Sequence, residues 1–399
     1  MKTILLLGGS AQQVIAITKS KELGYRTVLC DYLPDNPGKD VADSFYLVST
    51  TDKEAILNVA KKERVDGIVA YASDPAAPTA AYVAEMIGLP TNPYKSVEIL
   101  SHKDLFRDYL VENGFKCPKS YSFSQNNFID SMIEDFKFPV IVKPIDSSGS
   151  KGITVVNNRE SVANAISTAL LFSRDKTVII EEFIQKNHKY QIGGDVFVVD
   201  GAIVLWGFLN CHRNPKGNQL VPTGKSYPLL LDDESIGKVK RELSRLLSSL
   251  SITMGAFNIE AILDEQGDVY LIEVGPRNGG NMIPDLLEMI TGNDVIIATI
   301  QCAMGSRNVQ LTNTLRNCCY STHNLHSLKR GLFSSIKYSQ EISNHIIKEK
   351  IYKKSGDLVE PFSDASKALG ILFLKFDTSR EQEIILDEIT ELYEVVLDK

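Results

Sequence analysis

The chain is 399 residues long, 43% hydrophobic and 23% charged, the proportions of a globular protein large enough for two or three domains. Its net charge of −7 argues against a general nucleic-acid surface, which needs phosphate-neutralising cations. The six cysteines show no CxxC pair and no disulfide-like spacing, and no apolar run reaches a membrane span, so free thiols, no membrane partner and a cytoplasmic location are expected.

The apolar part of the opening run, Met1 to Gly9, is too short for a signal peptide. Residues 1–95 then alternate strand and helix patterns, as parallel βαβ units do. Strands are expected at Thr3–Leu7, Arg26–Tyr32 and Gly67–Tyr71. Helices are expected at about Ala11–Leu23 and Lys53–Glu63, and from Asp74-Pro75 to Ile87. The crevice of such a domain lies beyond the strand ends, near Gly8, Asp31 and Asp74. A dinucleotide fingerprint starting at Gly8 fails, because Ser10 and Gln13 stand where glycines are required. A tight turn holding a small polar substrate fits better.

Leu89 to Pro93 reads as a linker, followed by short helices at Ser96–Leu100 and Lys103–Asn113. Taken alone, Lys103 reads as a solvated helix lysine. Val140-Ile141-Val142 is a buried strand closed by Lys143-Pro144, and Asp146 to Gly152 (DSSGSKG) is a small-residue loop carrying Lys151. Such a loop can turn successive backbone N–H groups toward one anion, with Lys143 fixed at the strand end. The plainer alternative is a hairpin turn with two solvated lysines.

A helix follows at Arg159–Ser173, and the strand Thr177–Ile180 runs into Glu181-Glu182, of which one carboxylate must point inward and be satisfied by an amine or a lysine. Val196–Val199 and Ala202–Leu209 pair around an Asp200-Gly201 turn. The polar stretch His212 to Asn218 reads as an exposed connection, with substrate contact through Arg213 as the functional alternative. Gly255–Leu263 and Val269–Val274 form a second hairpin that sets Glu260 and Glu273 side by side. Two inward carboxylates repel unless compensated, and Mg²⁺ with its oxygen ligands supplies that compensation. Arg277 follows on a glycine-rich turn within reach of a phosphoryl oxygen, or of Glu273 in a plain salt bridge.

Taken together, SHKDLFRDYLVENGFKCP, FPVIVKPIDSSGSKGI, VIIEEFI, GAFNIEAI and YLIEVGPRNGG resemble the ATP-grasp superfamily over roughly residues 96–300. The nearest likeness is to carboxylate–amine ligases related to the ATP-binding halves of carbamoyl-phosphate synthetase, biotin carboxylase and phosphoribosylamine–glycine ligase. The fold implied combines α/β and α+β parts. These are an N-terminal βαβ domain over 1–95, an ATP-grasp domain over 96–305 with a lid at about 115–184, and a small C-terminal domain over 306–399.

The resemblance implies ATP and Mg²⁺ as cofactors, with two ions and Mn²⁺ as a substitute. It implies a small carboxylate and an amine as substrates, and it admits a homodimer. Lys103 and Lys143 match the phosphate lysines, and Ser147, Ser148, Gly149, Ser150, Lys151 and Gly152 match the closing loop. Glu181 matches the acid near the adenine amino group, with Phe183 and Ile184 as the hinge and Glu182 counted with them among the cofactor-binding residues. Glu260 and Glu273 match the metal carboxylates, while Arg277 and Lys143 match the groups acting on the transferred phosphoryl.

Two departures stand out. Gln191 occupies the usual ribose carboxylate position, with Asp195 four residues on, and Gly275 replaces a metal-binding asparagine, leaving Asn278, Asn281 or water for that role. Asp74, Arg213 and Asn281 are the substrate candidates. An acyl-phosphate-forming kinase and a non-catalytic nucleotide-binding module remain as alternatives.

Beyond Asn313 the expectations are a strand at Asn317–His323, another in Ser366–Phe376 and a final helix at Glu381–Val396. Cys318, Cys319, His323 and His326 lack zinc spacing and read as strand packing with surface histidines.

Overall fold

The computed structural model describes residues 1–398 except 125, 126, 148, 214–219 and 307, and only the backbone of residue 130. The expected loop residue Ser148 and most of the polar stretch after Arg213 therefore lie outside the described residues.

The chain begins β1 (Thr3–Leu7), α1 (Val14–Glu22), β2 (Arg26–Asp31), β3 (Ser44–Leu47), α2 (Lys53–Glu63), β4 (Gly67–Val69) and α3 (Ala77–Met86). Its four strands form a parallel sheet in the order β3-β2-β1-β4. Every residue of β1 is buried because both faces are covered. Leu5 and Leu7 pack toward Ile56 and Val83, whereas Ile4 and Leu6 pack toward Ile17 and toward Ile296 and Ile300 from far down the chain. At the turn after β1, the Gly9 N–H donates to Asp31 at 2.7 Å, and the Gln13 amide fills the space over Gly8. Asp31, expected at the ligand crevice, is thus a buried brace of this turn.

α4 (Tyr94–Ser101) and α5 (Lys103–Glu112) lead into β5 (Ser120–Ser124), β6 (Val140–Pro144), β7 (Thr154–Val156), α6 (Val162–Phe172) and β8 (Thr177–Glu182). These strands make an antiparallel sheet in the order β5-β8-β6-β7. The apolar stripe Val162, Ala165, Ile166 and Ala169 of α6 covers Val140, Val142, Val178 and Ile180.

β9 (Gln191–Val199), β10 (Ala202–Arg213), β11 (Pro222–Tyr227), α7 (Asp233–Ser249), β12 (Gly255–Leu263), β13 (Val269–Gly275), α8 (Ile283–Thr291) and α9 (Val295–Ala303) come next. The Asp200-Gly201 turn has φ of 48° and 79°, the paired positive values that a two-residue hairpin favours. β10 runs longer than expected and carries His212 and Arg213 inside the sheet, so they are not part of an exposed connection.

The C-terminal part comprises β14 (Cys319–Leu325), β15 (Gly331–Tyr338), α10 (Gln340–Ser343), β16 (Ile346–Ile351), β17 (Leu358–Val359), β18 (Gly370–Phe376), α11 (Ser379–Glu388) and β19 (Tyr393–Asp398). Through β11–β14 pairing the central sheet continues into it, giving eight strands in the order β13-β12-β9-β10-β11-β14-β18-β16. The expected final helix stops at Glu388, and the β-branched run Tyr393–Asp398 turns back to pair with β15. His323 and His326 are 3% and 5% exposed, packed with Phe362 and Tyr393, so they are core and not surface histidines. The described residues contain no metal-binding group of three or more His, Cys, Asp or Glu, and all six cysteines are free thiols. Among the described residues no single helix is long and apolar enough to cross a membrane.

Candidate active site

Lys143 leaves the end of β6 with its side chain buried, and its ammonium donates to Glu181 Oε2 at 2.5 Å. The inward carboxylate of the Glu181-Glu182 pair is thus satisfied by a lysine, while Glu182 turns out to accept the Lys137 N–H. The other Glu181 oxygen accepts from Arg107 Nε at 2.9 Å, and Arg107 Nη2 donates to the Ile272 carbonyl of β13. Arg107, 1% exposed, is a site residue that sequence reading missed. Its signal was present: it stands four residues after Lys103, one helical turn along α5.

Two buried cations thus share one carboxylate. Burial pushes the Glu181 carboxyl up, but Arg107 and Lys143 outweigh it and hold it near 2. Burial pushes Lys143 down, Glu181 opposing and Arg107 adding to the fall. The surplus positive charge suits an external anion.

Lys103 opens α5, its ammonium donating to the Ser147 carbonyl at 2.9 Å, so this lysine holds the small-residue loop instead of standing solvated. Ser147 closes the loop onto the Lys151 carbonyl, and Ser150 (φ 62°) donates to the Leu220 carbonyl. Gly149 and Gly152, with φ of 69° and 71°, are needed for this path. In the hinge, the Phe183 N–H is already given to Pro139, and the Ile184 N–H makes no backbone bond among the described residues.

Across the cleft, Glu260 and Glu273 are register partners on β12 and β13. Gln191 donates to Glu260 at 2.7 Å and accepts from Arg213 at 2.8 Å, so it bridges an acid and an arginine. Burial raises the Glu260 carboxyl, but Arg213 and then Lys225 bring it below its ordinary value. Glu273 is pushed up, by burial first, with Asp74 and Glu260 adding and Lys103 opposing. The Glu273 side chain has no hydrogen bond among the described residues. One depressed and one raised carboxyl, side by side, are oxygen donors that could serve a hard divalent cation, with Arg213 already 3.4 Å from Glu260 Oε1.

Arg277 is bound by Asp74 and not by Glu273, with Nε to Oδ1 at 2.7 Å and Nη2 to Oδ2 at 2.6 Å. Asn278 is fully buried, with Oδ1 accepting from the Thr299 hydroxyl and Nδ2 unpartnered among the described residues; Asn281 gives its backbone N–H to Gln12. Asp195, 2% exposed, accepts from Asn258 and from the Gly279 N–H, bracing the turn that carries Arg277. A cavity of about 270 Å³ is lined jointly by Asp74, Lys103, Ser147, Ile272 and Glu273. Lys103 and Glu273, one from each set, therefore line one cleft.

The family model of the carbamoyl-phosphate synthase L chain, ATP binding domain, matches residues 102–311. The carbamoyl phosphate synthase large chain of Methanocorpusculum labreanum is 25% identical over 341 residues, covering 80% of this chain and 31% of that protein. The chain thus spans about a third of that relative's length. Among solved structures, an L-amino acid ligase from Bacillus licheniformis superposes with TM-score 0.81 at 19% identity, covering 100% of this chain and 99% of that one. A phosphoribosylglycinamide synthetase from Anaerococcus prevotii gives 0.77 at 21%, with both chains covered completely. At these identities the structural likeness establishes a common fold, the combination of α/β and α+β parts expected from the sequence.

Proposed function

Since the chain belongs to the carbamoyl-phosphate synthase L chain ATP-binding family, we propose that it is an ATP-dependent ligase joining a small carboxylate to an amine, with release of ADP and phosphate. The observation that carries this reading is the shared cavity: Lys103 and the Ser147 loop on one wall, Glu273 and Asp74 on the other.

In this reading Lys103, Lys143 and the loop from Ser147 to Gly152 take the nucleotide phosphates, with the surplus charge of the Arg107–Glu181–Lys143 group behind them. Glu182, Phe183 and Ile184 border the base, and the 115–184 segment is the lid. Glu260 and Glu273 hold Mg²⁺, which when bound neutralises phosphoryl charge and aligns it for transfer. Arg277 takes the oxygens of the acyl phosphate once its partner Asp74 yields. Closure of the loop excludes water, which would hydrolyse that intermediate before the amine reaches it. Nothing in this chemistry calls for a membrane or nucleic acid, and a cytoplasmic location suits it.

The test is product analysis. The protein is incubated with MgATP and paired small carboxylates and amino acids, and the nucleotide products are resolved. ADP and phosphate, formed only when both substrates are present, support the reading. AMP and pyrophosphate overturn it.

A further inference from the structure

Cys211 on β10 pairs in register with Lys225 on β11 and, on its other side, with Gln191 on β9. Gly193, two residues from Gln191, pairs with Glu260, which in turn pairs with Glu273. Register partners and residues two apart share a face, so Lys225, Cys211, Gly193, Glu260 and Glu273 form one row across five strands. Lys225 is only 5% exposed. Its ammonium lies 2.6 Å from Cys211 Sγ, and no carboxylate of the described residues comes within 4 Å of it. A Cβ built on Gly193 would sit 2.8 Å from that ammonium and 2.3 Å from the thiol. The lysine therefore reaches across β10 and rests over the glycine, on the flank of Glu260.

A buried ammonium whose hydrogen-bond partner is a thiol is unfavourable unless an anion completes it. Glu260 and Asp195 feel its charge from a distance, and no carboxylate of the described residues touches it. The ammonium rests over β9, the strand next to the acid-bearing β12 and on the same face, where an anionic group held at Glu260 and Glu273 would extend.

We propose that Lys225 is an anion anchor of the acceptor side, taking a carboxylate or phosphoryl oxygen of the acyl substrate, with Gly193 kept free of a side chain to give that oxygen access. This rests on the ligase reading and adds to it a residue that binds the substrate without binding the nucleotide.

The probe is inorganic phosphate titrated into the MgADP-loaded full chain by calorimetry, for wild type, Lys225→Met, Lys225→Arg and Gly193→Ala. Phosphate affinity is expected to fall at least tenfold in Lys225→Met and in Gly193→Ala, to hold within a few-fold in Lys225→Arg, and MgADP affinity to stay within twofold throughout. A wild-type protein that binds MgADP but no phosphate, or a folded Lys225→Met that binds phosphate like wild type, overturns the assignment alone. If Lys225→Met does not fold, Gly193→Ala decides in its place, unchanged phosphate binding there overturning the assignment. A wild-type protein that binds no MgADP overturns the ligase reading and this anchor with it.

Discussion

Arg277 and Asp74 meet in a two-point ion pair across 203 residues of sequence, tying the end of the β12–β13 hairpin to the turn after β4. The guanidinium side chain is 9% exposed and the carboxylate 20%. Asp74 presents to Arg277 the same planar pair of oxygens that a substrate carboxylate or phosphoryl group would. Asp74→Asn is expected to lower stability by about 2–4 kcal/mol, because it leaves a buried cation half-paired. Urea unfolding reads the loss, and added phosphate should recover part of it. An unchanged midpoint would show that the pair does not hold the two segments together.

Among the described residues Glu181 is the sole anion between Arg107 and Lys143. Glu181→Gln should therefore cost roughly 3–5 kcal/mol, more than Arg107→Met, which leaves a balanced lysine–glutamate pair. Comparing the two variants by denaturant unfolding decides the order, and the reverse order would mean that Arg107 matters mainly through its bond to the Ile272 carbonyl.

Lys143→Ala is expected to weaken MgADP binding by about 1.5–3 kcal/mol, the scale of a charged hydrogen bond. Calorimetric titration measures it directly.

Glu273→Gln removes one of two register-paired carboxylates and should abolish turnover at any magnesium concentration. Wild-type ADP release from this variant would remove Glu273 from the metal assignment.

Burial raises the Asp195 carboxyl to about 6, against the hydrogen bonds from Gly279 and Asn258 that act to lower it. A carboxyl that holds its proton more tightly when folded adds stability fully present below its unfolded value and lost as pH rises through about 6. The amount is on the order of 2–3 kcal/mol. His212 slopes the other way, since burial holds it down to about 4 and its stability is lost as pH falls. The comparison is therefore wild type against Asp195→Asn, melted from pH 4 to pH 8. The variant should lose the decline between about 4 and 6, and parallel curves would exclude Asp195 as its source.

The legible parts were those where a short segment dictates its own geometry. Lys143 at a strand end, Glu260 opposite Glu273 and the Asp200-Gly201 turn follow from alternation and turn chemistry alone. Arg277 was legible as a residue and not in its partner, because Asp74 is 203 positions away and no local pattern encodes that meeting. Lys225 carried no signal, since its stretch Pro222 to Tyr227 shows no apolar alternation and gains its strand from neighbours on both sides. The chain's end failed for a related reason: β19 exists because β15 offers an edge, and β15 is 55 or more residues earlier.

The unbroken run of hydrogen bonding from β13 to β16 has a mechanical consequence. Glu260, Glu273 and Lys225 ride on a single stiff plate whose strands cannot shear past one another without tearing the ladder between β11 and β14. If the cleft opens and shuts, the separate β5-β8-β6-β7 sheet, which carries Lys143 and leads into its small-residue loop, is the part that this ladder leaves free to swing.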